Sequence, residues 1–259
     1  MKAPSLKSMA VVAAMALLAA APVMAAVTDI NDVTQEERTF NDNPSSTLFT
    51  TYNYPTKVEF SEFYPAVEGF ANMHAAWFSN DGGTTRRSFL QAEPFFIKMD
   101  VTLTALSASP EAGFRYNTNN TSNPIGEGFF IVKSNDEVVA FGANLPFFSF
   151  GGAGSGAYTL GDTVTMGLKY DPIASTVEYL YDNDASGPNP VVSSGPIPLA
   201  VDNPNFLDGS ELGVYHQIPP QAAGASSTAT LENFMVTVPE PASLALLAIG
   251  GLAMMRRRR

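Results

Sequence analysis

The sequence predicts an all-β fold, an antiparallel β-sandwich, set between two terminal segments of different character. Three observations carry this. Residues 26–238 contain several runs in which apolar and polar side chains alternate, the pattern of strands with one face buried. The connections between those runs are rich in Gly, Pro, Asn and Asp, and no long stretch shows a helical apolar repeat. Strands joined without helical crossovers pair antiparallel and stack as two sheets rather than as an α/β fold.

The clearest alternation is "FFIKMDVTLTAL". Phe95, Ile97, Met99, Val101 and Leu103 share one face, and Lys98, Asp100, Thr102 and Thr104 the other. In "TVTMGLKY" the inward set is Val164, Met166, Leu168 and Tyr170, and in "TVEYLY" it is Val177, Tyr179 and Tyr181. The Pro-led turn "DPIAS" joins these two runs into a predicted hairpin. A second hairpin is "GFFIVKSNDEVVAF", turning at Ser134-Asn135-Asp136. Further strands are expected at residues 57–63, 112–117, 212–216 and 228–238. No repeat of solenoid or propeller period is visible.

Residues 26–238 carry eight basic and twenty-four acidic side chains, a net charge of −16. That field repels phosphate backbones and anionic lipid, so nucleic acid is excluded as a partner of the body. The chain contains no cysteine. A lipoprotein anchor, thiol catalysis and cysteine-held metal are therefore excluded, and the body must fold on burial alone, which its length permits.

Residues 1–25, "MKAPSLKSMAVVAAMALLAAAPVMA", have Lys2 and Lys7, an apolar run, and the small-x-small pattern Val23-Met24-Ala25. This is a secretory signal helix removed by signal peptidase, too short in its apolar part for the ~20 residues of a stable span. At the other end, Pro239-Glu240-Pro241 precedes a fourteen-residue apolar run from Ala242 to Met255, and Arg256, Arg257, Arg258 and Arg259 follow. The run is predicted to form a short hydrophobic helix that engages the membrane only transiently, with the arginines as its cytoplasmic-side anchor. The two prolines keep the segment before it extended and open to a protease.

This tail resembles the PEP-CTERM sorting signal of bacterial exported proteins. The resemblance covers about the last twenty residues and rests on three parts in order: tripeptide, apolar run, basic cluster. It implies recognition and removal of residues 239–259 by an exosortase, and a Gram-negative-type envelope with delivery to the cell surface or an extracellular polysaccharide matrix. A GPI signal fits less well, because such tails do not end in a basic cluster. The body is then one domain, residues 26–238.

The order of runs from "AGFRYNTNN" through "YTLGDTVTMGLKYDPIASTVEYLYDND", closed by "ATLENFMVTV", resembles the concanavalin A-like lectin/glucanase jelly roll. It covers roughly residues 89–238 at the level of pattern. It implies a jelly-roll sandwich of a kind that usually binds carbohydrate or serves structurally, and in a minority of members cleaves glycosidic bonds.

Few residues look chemical. A retaining glycosidase needs two carboxyls ~5–5.5 Å apart. Glu59 and Glu62 are three apart and face opposite sides of a strand, and Glu178 stands alone in its run. The two histidines, His74 and His216, belong to no nucleophile-elbow or zinc motif, and His216 reads as a strand-end residue hydrogen-bonded locally. The glycine-rich "FGGAGSG" departs from a dinucleotide fingerprint, has no helix after it and reads as a loop.

Two sets of site candidates remain. Asp182, Asp184 and Ser186 in "YDNDASG" mimic the opening of a calcium loop but lack its closing glutamate, so an Asx-rich turn competes with calcium as the sole cofactor candidate. Trp77, Phe147, Phe148 and Phe150 form an aromatic set suited either to stacking on sugar rings or to core packing. The expected function is therefore a non-enzymatic, exported structural or adhesive protein, with exosortase and signal peptidase as partners in export and exopolysaccharide as its binding partner. A polysaccharide-active glycosidase or lyase and a calcium-dependent adhesion module are the alternatives.

Overall fold

The computed structural model describes residues 27–117, 126–142, 145–183, 192–199 and 209–237. The expected signal helix at residues 1–25 and the sorting segment with its short helix at residues 239–259 lie outside the described residues, and no helix occurs among those described. The strands, in chain order, begin with β1 (Asp32–Val33), β2 (Glu36–Asn41), β3 (Thr47–Asn53), β4 (Lys57–Tyr64), β5 (Asn72–Ser79) and β6 (Ser88–Phe89). Then come β7 (Phe95–Leu106), β8 (Glu111–Asn117), β9 (Glu127–Lys133), β10 (Val138–Gly142), β11 (Phe148–Gly151) and β12 (Thr163–Asp171). The last are β13 (Thr176–Asp182), β14 (Val192–Ser193), β15 (Ile197–Pro198), β16 (Ser210–Ile218) and β17 (Ala225–Thr237).

They form two antiparallel sheets. One has nine strands in the order β1-β5-β16-β8-β9-β10-β11, with β2 also on β5 and β6 on β16. The other has eight, in the order β14-β13-β12-β7-β17-β4-β3, with β15 on β13. The chain passes between the sheets after β2, β4, β6, β7, β11, β15 and β16, giving the crossed connectivity of a jelly roll.

The inner faces are the ones that alternation predicts. On β7, Phe95, Ile97, Met99, Val101 and Leu103 are buried while the residues between them are partly exposed. They meet Phe114, Phe130, Val132, Leu212 and Val214 of the nine-stranded sheet in one continuous core. Aromatic rings fill much of it: Phe130 lies 5.1 Å from Tyr179, and Phe95 5.7 Å from Tyr170. Both predicted hairpins are present. β12 pairs β13 from Thr165–Asp182 to Asp171–Thr176, and β9 pairs β10 around the turn at residues 134–136, where Asp136 takes φ 70°.

Candidate functional site

Two polar assemblies stand out, one inside the sandwich and one on its outside. The inner one is centred on Glu62. β4 is mostly a half-buried strand, and its alternation turns Glu59 outward, paired with Lys57, and Glu62 inward. The Glu62 side chain is fully buried. Its Oε2 accepts from His74 Nε2 at 2.6 Å and from the Tyr64 hydroxyl at 2.6 Å. Its Oε1 accepts from Ser46 Oγ at 2.5 Å and Asn72 Nδ2 at 2.7 Å, with Arg38 Nη2 at 3.2 Å.

Burial pushes the Glu62 carboxyl up. The hydrogen bond and positive charge of His74, with the Ser46 and Tyr64 hydroxyls, outweigh this and hold it at about 2. Burial, reinforced by the Glu62 charge, raises the Tyr64 hydroxyl far above its usual range. Asn72 and Asn43 exchange bonds (Asn43 N to Asn72 Oδ1, 2.9 Å; Asn72 Nδ2 to Asn43 O, 3.1 Å), and Asn43 Oδ1 accepts from the Glu68 amide at 2.8 Å. The assembly thus ties β4, β5, the β2–β3 turn and the β4–β5 loop together. With its carboxylate and histidine sealed from solvent, it is built to hold the two sheets in place.

His216 sits beside this group, opposite His74 in the β5–β16 register. It is not the locally bonded strand-end residue expected from sequence. It lies within β16, is buried, and places Nε2 3.0 Å from Ser227 Oγ on the opposing sheet. Burial first, and the nearby His74 second, lower its pKa to about 3.

The outer assembly covers the exposed side of the nine-stranded sheet. Register places Trp77, Gly213, Arg115, Phe129 and Phe141 in one row across β5, β16, β8, β9 and β10. The next row is Ala75, Tyr215, Gly113, Ile131 and Val139. Ala75, Trp77, Ile131, Val139 and Tyr215 form a second buried apolar cluster, with Met73, Phe129 and Phe141 packed around it.

Two glycines make this arrangement work. A Cβ on Gly213 would lie 2.3 Å from the Ala76 carbonyl oxygen, and one on Gly113, at φ 153°, 2.3 Å from that of Phe130. With no side chain at Gly213, the Arg115 guanidinium passes over β16 to within 5.0 Å of the Trp77 ring centroid, and its Nη1 reaches Thr39 Oγ1 at 3.2 Å. With none at Gly113, Phe129 and Tyr215 meet across β8 at 4.8 Å.

Ion pairs frame the rings. Arg115 pairs with Glu127, Arg86 with Glu211 at 2.8 Å, and Lys133 with Glu111 at 3.5 Å and Glu137 at 3.3 Å. Arg86 also lies 4.7 Å from the Trp77 ring centroid. The Tyr215 hydroxyl donates to Glu111 Oε1 at 2.7 Å. Burial first, then the Glu111 charge, raise the Tyr215 hydroxyl well above its usual range, so it stays a donor. Ring faces set among carboxylate, amide and guanidinium groups suit an amphipathic ligand laid along the sheet.

The middle of the outer face of the other sheet is a hydroxyl and charge lattice. Ser61 Oγ and Thr228 Oγ1 lie 2.8 Å apart, Thr102 Oγ1 and Thr163 Oγ1 2.7 Å apart, Thr165 donates to Asp100 at 2.6 Å, and Lys169 pairs with Glu178 at 3.1 Å. Exposed Phe49, Phe63 and Leu106 stand toward one end of it without forming a buried cluster.

The aromatic set expected from sequence is not one platform. Trp77 is 1% exposed beneath its two guanidinium neighbours, on β5, five strand positions or about 24 Å from β11. Phe148 and Phe150 pack on the core, 6.4 Å from Tyr179 and 5.5 Å from Tyr181 respectively, while Phe147 is 73% exposed. Part of "FGGAGSG" is strand rather than loop, since β11 runs to Gly151. Of the calcium candidates, Asp182 ends β13 as a buried residue paired with Thr165. Asp184 and Ser186 lie outside the described residues. Among the described residues no group of three or more His, Asp or Glu side chains is placed to hold a metal ion.

Arg115, Tyr215, Phe129 and Phe141 were not singled out in the sequence. The signal that marks them is the outward-facing aromatic and arginine residues of strands whose inward residues are also apolar.

The signature of the PEP-CTERM protein-sorting motif matches residues 237–259. The chain thus carries an exosortase-recognised sorting motif and is an exported protein. A sequence comparison with curated proteins returned no match. Among solved structures, the alginate lyase AlgAT5 of polysaccharide lyase family 7 is similar at 12% identity and TM-score 0.48, covering 82% of this chain and 96% of that one. The alginate lyase from Klebsiella pneumoniae has 8% identity and TM-score 0.47, covering 74% and 85%. A functionally unknown protein from Saccharomyces cerevisiae has 12% identity and TM-score 0.40, covering 78% and 97%. The two-sheet architecture itself is established by the strand pairing.

Proposed function

We propose that this chain is a non-enzymatic protein of the bacterial cell surface or extracellular matrix that binds polysaccharide along the outer face of its nine-stranded sheet. One observation carries the reading. A two-layer sandwich buries its inner faces, and its outer faces are ordinarily polar. Here one outer face carries a second apolar cluster ringed by aromatic and ion-paired side chains. The half-buried rings of Phe129 and Phe141 at its margin leave apolar surface open to another molecule. An exported, matrix-directed chain meets polysaccharide, whose sugar rings offer C–H faces to Phe129 and Phe141 and hydroxyls to Glu111, Glu127 and Gln217, which stands between Met73 and Glu111 in the strand register. Binding without turnover is supported by the position of both histidines inside the sandwich, away from this face.

The test is polysaccharide binding by the double variant Phe129→Ala/Phe141→Ala against Thr102→Ala/Thr163→Ala on the opposite face. The first is expected to weaken binding about tenfold or more, and the second to leave it unchanged. Retained binding in the first variant contradicts the site, and release of new sugar ends during incubation contradicts the absence of turnover.

A further inference from the structure

Building on that polysaccharide-binding reading, we infer that the ligand is an uncharged polysaccharide rather than a polyuronate or sulfated glycan. The charge on the face is already spent internally. Each cation there is held by a carboxylate of the same face: Arg115 by Glu127, Arg86 by Glu211, and Lys133 by Glu111 and Glu137. Three cations stand against four carboxylates, leaving a slight negative excess. Arg115 is further fixed by Thr39 and the Trp77 ring, and its side chain is 7% exposed.

A polyanion must break these pairs to gain a guanidinium or ammonium group, and it faces a carboxylate at each step. It must also approach a body of net charge −16. Across the described structure seven of the eight body cations are ion-paired, so no cationic track runs over the surface to guide such a chain. A neutral glycan loses nothing by these arrangements. It stacks on Phe129 and Phe141 and donates hydroxyls to the partly exposed Glu127 carboxylate.

The experiment is calorimetric titration of the full-length protein with neutral β-glucan and galactan oligosaccharides and with polyuronate and sulfated-galactan oligosaccharides. Each is run at about 20 mM and about 500 mM salt, which spans strong and weak screening. Binding to at least one neutral series, changed less than about twofold by salt, with no saturable binding of the anionic series, is the expected result. Saturable binding of an anionic series that weakens steeply with salt overturns the inference and leaves the polysaccharide-binding reading standing. Binding to neither class overturns both.

The variant Glu127→Gln gives an independent reading. It frees the Arg115 guanidinium from its carboxylate and is expected to create salt-sensitive polyuronate binding. A folded Glu127→Gln protein that gains none shows that pairing is not what excludes polyanions.

Discussion

Glu62 is a buried carboxylate in a sandwich interior filled mainly by apolar and aromatic side chains, and it accepts from His74, Tyr64, Ser46 and Asn72 with Arg38 at its flank. Removing its charge leaves His74 and Arg38 facing a neutral amide in a low-dielectric site. Glu62→Gln is therefore expected to cost about 3 kcal/mol of stability, measured by urea unfolding, and a change below about 1 kcal/mol would contradict the buried-pair account. Two buried groups also set an acid limit. His216 is held at about 3 against its ordinary 6.5, so between those values the unfolded chain binds the extra proton, and stability falls as pH drops below about 6.5. Glu62 is held at about 2 against its ordinary 4.5, so its contribution is complete above about 4.5 and lost as pH falls toward 2. Thermal midpoints are expected to decline in two stages on acidification. His216→Gln is expected to remove the first stage, and an unaltered profile in that variant would assign the onset to another group.

Gly213 and Gly113 show how much an element can depend on the absence of a side chain. Gly213→Ala places a Cβ 2.3 Å from the Ala76 oxygen and 2.7 Å from the Trp77 Cα, so β16 and β5 must part. A cost of about 2 kcal/mol or more is expected, together with a shift in Trp77 fluorescence as the Arg115 contact is lost; neither effect would mean that the strands yield at that point. Legibility in the sequence follows the same strand logic. β7, β12 and β13 bury one face each, so their alternation is plain and their inward residues can be read directly. β5 is buried on both faces, in the core through Ala76 and Phe78 and in the outer cluster through Ala75 and Trp77, and therefore shows no period of two. The outer face was illegible for that reason. Its rows are set by register among strands from three separate parts of the chain, β5, β8 to β10, and β16, and two of its key members are glycines that leave no apolar mark.

At the scale of the whole molecule, the PEP-CTERM motif at residues 237–259 marks export. We propose that both termini serve export and that the sandwich is the part that acts. Deleting residues 239–259 is expected to release the body in soluble form and abolish tail processing, followed by fractionation and mass spectrometry; unchanged sorting would contradict the role of the tail. The sandwich was legible from alternation and composition, and the sorting tail from three ordered segments. The face was not, because nothing local distinguishes an outward Phe129 from a core residue. Trp77, the single tryptophan of the chain, lies within that face beside Arg86 and Arg115 and so reports on it without labelling. The most direct measurement is therefore Trp77 emission during titration with a polysaccharide whose binding is followed in parallel by calorimetry. A saturable change in emission with the calorimetric dissociation constant is the predicted result. Calorimetric binding that leaves the emission untouched would place the ligand elsewhere on the molecule.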